Sequence, residues 1–113
     1  MLTAAVLKTK KMIFNKNVFR NSFDGATVNA VWEKGQVVPG YNAAVIRKDS
    51  CGAWIKRAEY GNTNSTYGWE IDHIKPVSQG GSDQLYNLQP LQWENNRHKG
   101  DDYPHWTCKV KAS

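Results

Sequence analysis

Residues 68–81 read GWEIDHIKPVSQGG, and no other stretch constrains the fold as tightly. Trp69, Ile71 and His73 fall on one side of an extended chain, and Glu70, Asp72 and Ile74 on the other. That period of two is the signature of a strand. Pro76 has no amide hydrogen for a ladder and ends regular pairing. QGGSD at 79–83 is a turn by composition, because glycine tolerates positive φ and serine and aspartate bond to nearby backbone. The segment LYNLQPL, 85–91, then reads as the returning strand or as a structured loop. After Pro90, LQWENNRHKG has no β-branched residue and ends on a glycine, which predicts a short helix with Gly100 as its stop.

The rest of the chain is less periodic. In FDGATVNAVWEKGQVVPGY, 23–41, Val28, Ala30 and Trp32 alternate with polar neighbours before Gly35 and Pro39-Gly40, which predicts strand and turn. NAAVIRKDSCGAWIKRAEYG, 42–61, predicts a strand or irregular segment, then one or two helical turns near 53–60. Residues 1–26 carry no legible element and read as a flexible N-terminal segment, and the tail DDYPHWTCKVKAS is a candidate final strand. The chain of 113 residues suits a single domain, 1–113, with five tryptophans supplying much of a modest core.

Charge narrows the partners. Lys and Arg number 15 against 10 Asp and Glu, giving net +5 and a pI near 9.3. A basic balance of this kind points to an anionic partner, nucleic acid first. Cys51 and Cys108 stand alone with no CxxC pair, which excludes a four-cysteine zinc site. They read as buried thiols, with a disulfide as the alternative in an oxidising compartment. The apolar run in MLTAAVLKTKKMIF is too short to span a bilayer, so no membrane partner and a cytoplasmic location are expected.

Taken together, WEIDHIKPVSQGGSDQLYNLQPLQWENNRHKGD resembles the HNH endonuclease motif, also called the ββα-metal motif. Asp72-His73 matches the acid–histidine pair at the end of the first strand, and Pro76 and Gly80-Gly81 match the positions after it. Asn87-Leu88 matches the middle asparagine and its leucine. Asn96, nine residues further, matches the last position, and Lys99-Gly100 follows at the usual offset. Upstream, RKDSCGAWI is similar to the segment before this motif in small HNH nucleases. The resemblance implies an α+β fold: an HNH-type ββα-metal hairpin-plus-helix over 69–101, with additional short strands and helical turns from the N-terminal half.

It also implies roles. Phosphodiester hydrolysis needs an activated water, neutralisation of the phosphate and stabilisation of the leaving oxygen. His73 would be the general base, since imidazole titrates near neutrality. Asp72 and Asn96 would hold one divalent metal ion. Two oxygen ligands suit Mg²⁺, with Mn²⁺ as substitute. Asn87 would brace the loop between the strands and hold the backbone carbonyl that orients His73. Lys99, Arg97 and Lys75 would contact substrate phosphate, with His98, Lys56 and Arg57 as lesser candidates.

Many members of the family carry two CxxC pairs around a structural zinc. Here Gln92 and Asn95 stand at the downstream pair and only Cys51 remains upstream. No structural zinc is therefore implied, and packing by Trp54, Trp69 and Trp93 is expected in its place. The implied substrate is DNA, with RNA not set apart, acted on by a monomer or homodimer. An immunity protein would be a partner only of a toxin domain.

Each residue also has an ordinary reading. A strand histidine is usually bonded to backbone, an asparagine before a strand is usually a turn residue, and a lysine in a last helical turn suits the helix dipole. A one-residue slip would exchange Asn95 for Asn96. The alternative function is a non-catalytic nucleic-acid-binding module built on the same hairpin and helix.

Overall fold

The computed structural model describes residues 23–112. Its order is α1 (Gly25–Trp32), β1 (Ile46–Lys48), β2 (Trp54–Lys56), a 3-10 turn (Arg57–Glu59), β3 (Trp69–His73), 3-10 turns at Val77–Gln79 and Leu85–Asn87, β4 (Leu88–Gln92) and α2 (Trp93–Lys99). The α+β class and the hairpin-then-helix order are as expected from the sequence. Of the segment 1–26, residues 1–22 lie outside the described residues.

The predicted strand in 23–41 is a helix. Val28, Val31 and Trp32 are buried, spaced i, i+3, i+4 along one helical face. Asp24 caps the helix: its carboxylate accepts the Thr27 amide at 2.8 Å, and that bond lowers the Asp24 pKa from its ordinary value. The alternation of Val28, Ala30 and Trp32 is incidental to a short window that fits both periods.

β1 and β2 form an antiparallel hairpin with Ile46 opposite Lys56 and Lys48 opposite Trp54. The helical turns predicted near 53–60 reduce to Arg57–Glu59, because Trp54–Lys56 pairs as strand. β3 and β4 form the second hairpin, Trp69 opposite Gln92 and His73 opposite Leu88. Pro90 sits inside β4, opposite Ile71, in a two-stranded sheet whose outer edge needs no ladder. The predicted helix therefore begins later than Leu91. Gln92 starts it, its side-chain oxygen accepting the Glu94 amide at 2.8 Å and the Asn95 amide at 3.2 Å. Gly100, with φ of 54°, ends it as predicted.

The apolar core lies between α1 and the two hairpins. Val28, Val31, Trp32, Ile55, Trp69, Ile71 and Leu88 form it, with Phe23 and Tyr60 packed at its rim. The Trp69 ring stacks against Trp32 at 5.3 Å and Tyr60 at 4.8 Å. Burial raises the Tyr60 phenol above its usual pKa, with the Glu70 charge adding to the shift. Lys34, just past α1, donates to the carbonyls of Leu85 and Leu88 and ties this helix to the loop before β4. Burial lowers the pKa of that amine.

Two sequence expectations change at the C-terminus. Cys51 and Cys108 form a disulfide, with Cα atoms 5.8 Å apart, so they are not free thiols. The tail forms no strand. It is held instead by that bond, by the Ala112 amide donating to Gly52 O, and by the side chain of Asn95. The three tryptophans expected in place of zinc do not share one role. Trp69 is in the core, but Trp54 stacks on Tyr41 and Trp93 donates to Ser65 O. Beside the disulfide, the buried carboxylate of Asp49 joins the first hairpin to β4 and α2.

Candidate active site

The site is built on β3, the loop that follows it, β4 and α2. His73 is the last residue of β3 and is 2% exposed. Its Nε2 lies 2.7 Å from Asp83 Oδ1, and Phe23 flanks the ring at 6.0 Å. An ionised carboxylate only accepts, so in the neutral ring the proton sits on Nε2 and Nδ1 keeps its lone pair. Nδ1 is buried and has no protein partner among the described residues. The imidazole is thus oriented through Nε2, and its Nδ1 lone pair is uncommitted among the described residues.

The loop that carries Asp83 is clamped by Asn87. The Asn87 amide donates to Lys75 O at 3.0 Å and Ser82 O at 2.8 Å, and its oxygen accepts the Lys75 amide at 2.8 Å. Gly81 allows this closure, since a Cβ there would lie 1.7 Å from Lys75 O. The brace expected of Asn87 is present in form, but the group it steadies against His73 is the Asp83 carboxylate. Nothing periodic in the sequence marks Asp83, which sits in a turn.

Asp72 faces α2 from β3 and is 1% exposed. Its Oδ2 accepts from Gln89 Nε2 at 3.0 Å, its cross-strand partner, and its Oδ1 lies 3.2 Å from Lys99 Nζ. Lys99 also donates to His73 O at 3.0 Å, and its side chain is fully enclosed. The sequence places Lys99 at the substrate; the structure turns its ammonium inward onto Asp72.

One turn earlier on α2, Asn96 meets the other β3 acid. Its Nδ2 donates to Glu70 Oε1 at 2.8 Å, and Arg97 bonds both Glu70 oxygens, at 3.3 and 2.8 Å. Residues i and i+2 of a strand therefore oppose residues three apart on the helix, as their spacings of ~6.6 and ~4.5 Å permit. Asn96 Oδ1 is buried without a partner among the described residues. Arg97 is partly exposed and Lys75 exposed. His98 lies off the site against Thr107, Arg57 is tied to Asn29, and Lys56 stacks on Tyr67.

By chemical type the donor set suits a divalent ion. Asn96 Oδ1 is a neutral acceptor with no partner among the described residues, and Asp72 supplies a buried carboxylate. Among the described residues there is no cluster of three His, Cys, Asp or Glu side chains. The pair Asp72 and Asn96 is an all-oxygen set of the kind Mg²⁺ uses with waters and phosphate oxygens. The Lys99 ammonium on Asp72 makes such a site weak.

Residues 51–102 match the family model described as HNH endonuclease. No curated protein and no solved structure matches the chain. The matched span begins at Cys51, in the first hairpin, and covers the β3–β4 hairpin and all of α2. The stretch that matches the HNH endonuclease model is thus the one that carries the hairpin, the helix and the residues Asp72, His73, Asn87 and Asn96.

Proposed function

We propose that the protein is a metal-dependent endonuclease that hydrolyses DNA phosphodiester bonds. The observation that carries this reading is His73: Nε2 is held by Asp83, while Nδ1 is buried, without a partner among the described residues and one residue from Asp72. Nδ1 takes a proton from water as the water oxygen bonds to phosphorus. The bond from phosphorus to the leaving 3′ oxygen breaks, and that oxygen is protonated from solvent. The gain expected from a positioned base is about 10²–10⁴-fold.

Asp72 and Asn96 would hold the ion, Mg²⁺ first and Mn²⁺ as its substitute, which neutralises phosphate charge and stabilises the leaving oxygen when bound. Lys99 holds Asp72 and the His73 carbonyl in place. Phosphate contacts along the backbone then fall to Lys75 and Arg97, so binding is salt-sensitive. These contacts address phosphate rather than sugar and do not separate DNA from RNA. A single site per monomer makes nicks; a homodimer would cut both strands. Among the described residues no helix is long and apolar enough to cross a membrane. The Cys51–Cys108 bond favours an oxidising environment over the cytoplasm expected from sequence.

Relaxation of supercoiled plasmid by the wild type and by His73→Ala, in EDTA and with Mg²⁺ or Mn²⁺, tests the reading. Metal-dependent nicking that falls at least ~100-fold in the variant is expected. A folded protein that shifts DNA in a gel without cutting it is instead a binding module.

A further inference from the structure

We propose that Glu70 is a positioning residue for the metal site. Its carboxylate fixes the Asn96 amide with the oxygen turned away from Glu70, as a ligand. This inference rests on the reading of Asp72 and Asn96 as metal ligands.

Glu70 is 2% exposed, on the same face of β3 as Asp72. A buried carboxylate is costly unless fully paired. Here it is paired with Asn96 Nδ2 at 2.8 Å and with Arg97 at both oxygens. The direction of the Asn96 amide follows from chemistry. A carboxylate only accepts, so the NH₂ must face it, and a flipped amide would set two acceptor oxygens at 2.8 Å. Glu70 is the hydrogen-bond partner of the Asn96 side chain, and Oδ1 has none among the described residues. The orientation of a ligand oxygen is therefore set by one acid two residues before Asp72.

Glu70→Gln separates orientation from packing. The substitution is isosteric, but Gln has one acceptor and one donor end. The Arg97 guanidinium only donates and claims the Gln oxygen. The Gln NH₂ then faces Asn96, whose amide flips and presents its own NH₂ where the ligand oxygen stood. In Glu70→Gln with Arg97→Leu, the Gln oxygen is released to accept from Asn96, and the native orientation returns.

The experiment is titration with Mn²⁺, with free ion followed by electron paramagnetic resonance and folding followed by thermal melts. Wild type, Asp72→Ala, Glu70→Gln and the double variant are compared. Expected are Mn²⁺ binding lost in Asp72→Ala, weakened about tenfold or more in folded Glu70→Gln, and largely restored in the double variant. Wild-type affinity in folded Glu70→Gln overturns the proposal while leaving the metal site standing. Equal loss in the single and double variants also overturns it, since the loss then follows removal of charge and not amide direction. Mn²⁺ binding insensitive to Asp72→Ala overturns the metal reading and this inference with it. If Glu70→Gln does not fold, the wild-type Asn96 side-chain amide, assigned by its loss in Asn96→Asp, decides by NMR. A proton held against a carboxylate exchanges slowly, and rapid exchange of both protons overturns the proposal.

Discussion

Asn95 and Asn96 are the same residue side by side on α2, about 100° apart around the helix. Both are essentially fully buried. Asn95 uses all its capacity: Nδ2 donates to Asp49 Oδ2 at 3.0 Å and Val110 O at 2.9 Å, and Oδ1 accepts the amides of Lys109 at 2.8 Å and Val110 at 2.7 Å. Among the described residues the Asn96 side chain bonds Glu70 alone, and its buried oxygen has no partner. One face of the helix is a closed knot with the disulfide and Asp49; the other leaves unpaired atoms where chemistry is proposed. A fold tolerates an unsatisfied buried acceptor when the rest of the structure over-determines its position. In this protein the knot of Asp49, Asn95 and the disulfide supplies that surplus.

The comparison fails if disrupting the knot damages the chemistry before the fold. The largest expected effect is removal of the Cys51–Cys108 bond, which closes a loop of 57 residues. Chain entropy gives about 4 kcal/mol for a loop of that size. Cys51→Ser with Cys108→Ser should lose stability on that order in urea melts, yet keep the wild-type nicking rate wherever it remains folded.

Asp49→Ala comes next. Asp49 is fully buried and accepts from the amides of Cys51, Ala53 and Gln92 and from Asn95 Nδ2. Stranding these donors should cost about 3 kcal/mol, read as a lower urea midpoint with unchanged slope. Metal dependence of cleavage should persist below the melting temperature.

The smallest effect sharpens the comparison from the other side. Tyr60 OH is also buried and without a partner among the described residues, but its ring packs on Trp69 at the rim of the core. Tyr60→Phe should leave cleavage unchanged and stability unchanged or slightly raised. The folded-state pKa of Tyr60 is raised above its ordinary 10.0. Its contribution is therefore whole below pH 10 and is lost as pH climbs through the folded pKa. Alkaline melts of Tyr60→Phe should fall less steeply with pH than those of the wild type.

The β3 strand, its glycine turn and the helix ending at Gly100 were legible because each rests on local spacing or backbone chemistry. Asp72, His73, Asn87 and Asn96 were singled out by the family resemblance alone, through sequence offsets, and the structure buries all four. α1 was misread because Val28 and Trp32 fit an alternating strand as well as a helix, and the deciding partner Val31 was counted as polar spacing. The tail was illegible, as its structure comes from Cys51, Gly52 and Asn95, all distant in sequence. Lys99 was placed on the correct helical face but on the wrong side of the surface, since only packing decides whether a long side chain turns inward. Glu70 and Asp83 were overlooked for a related reason: each acts through a partner that the fold alone brings within reach.

The most direct measurement is a pair of substitutions, Asn95→Ala and Asn96→Ala, each assayed for urea stability and for Mg²⁺-dependent plasmid nicking. Asn95→Ala should lose about 2–3 kcal/mol by leaving buried partners unpaired, and still cut at a near wild-type rate while folded. Asn96→Ala should lose about 1 kcal/mol or less and cut about 100-fold more slowly. If Asn96→Ala cuts normally, or Asn95→Ala loses activity without losing stability, the division of α2 into a structural and a reactive face is wrong.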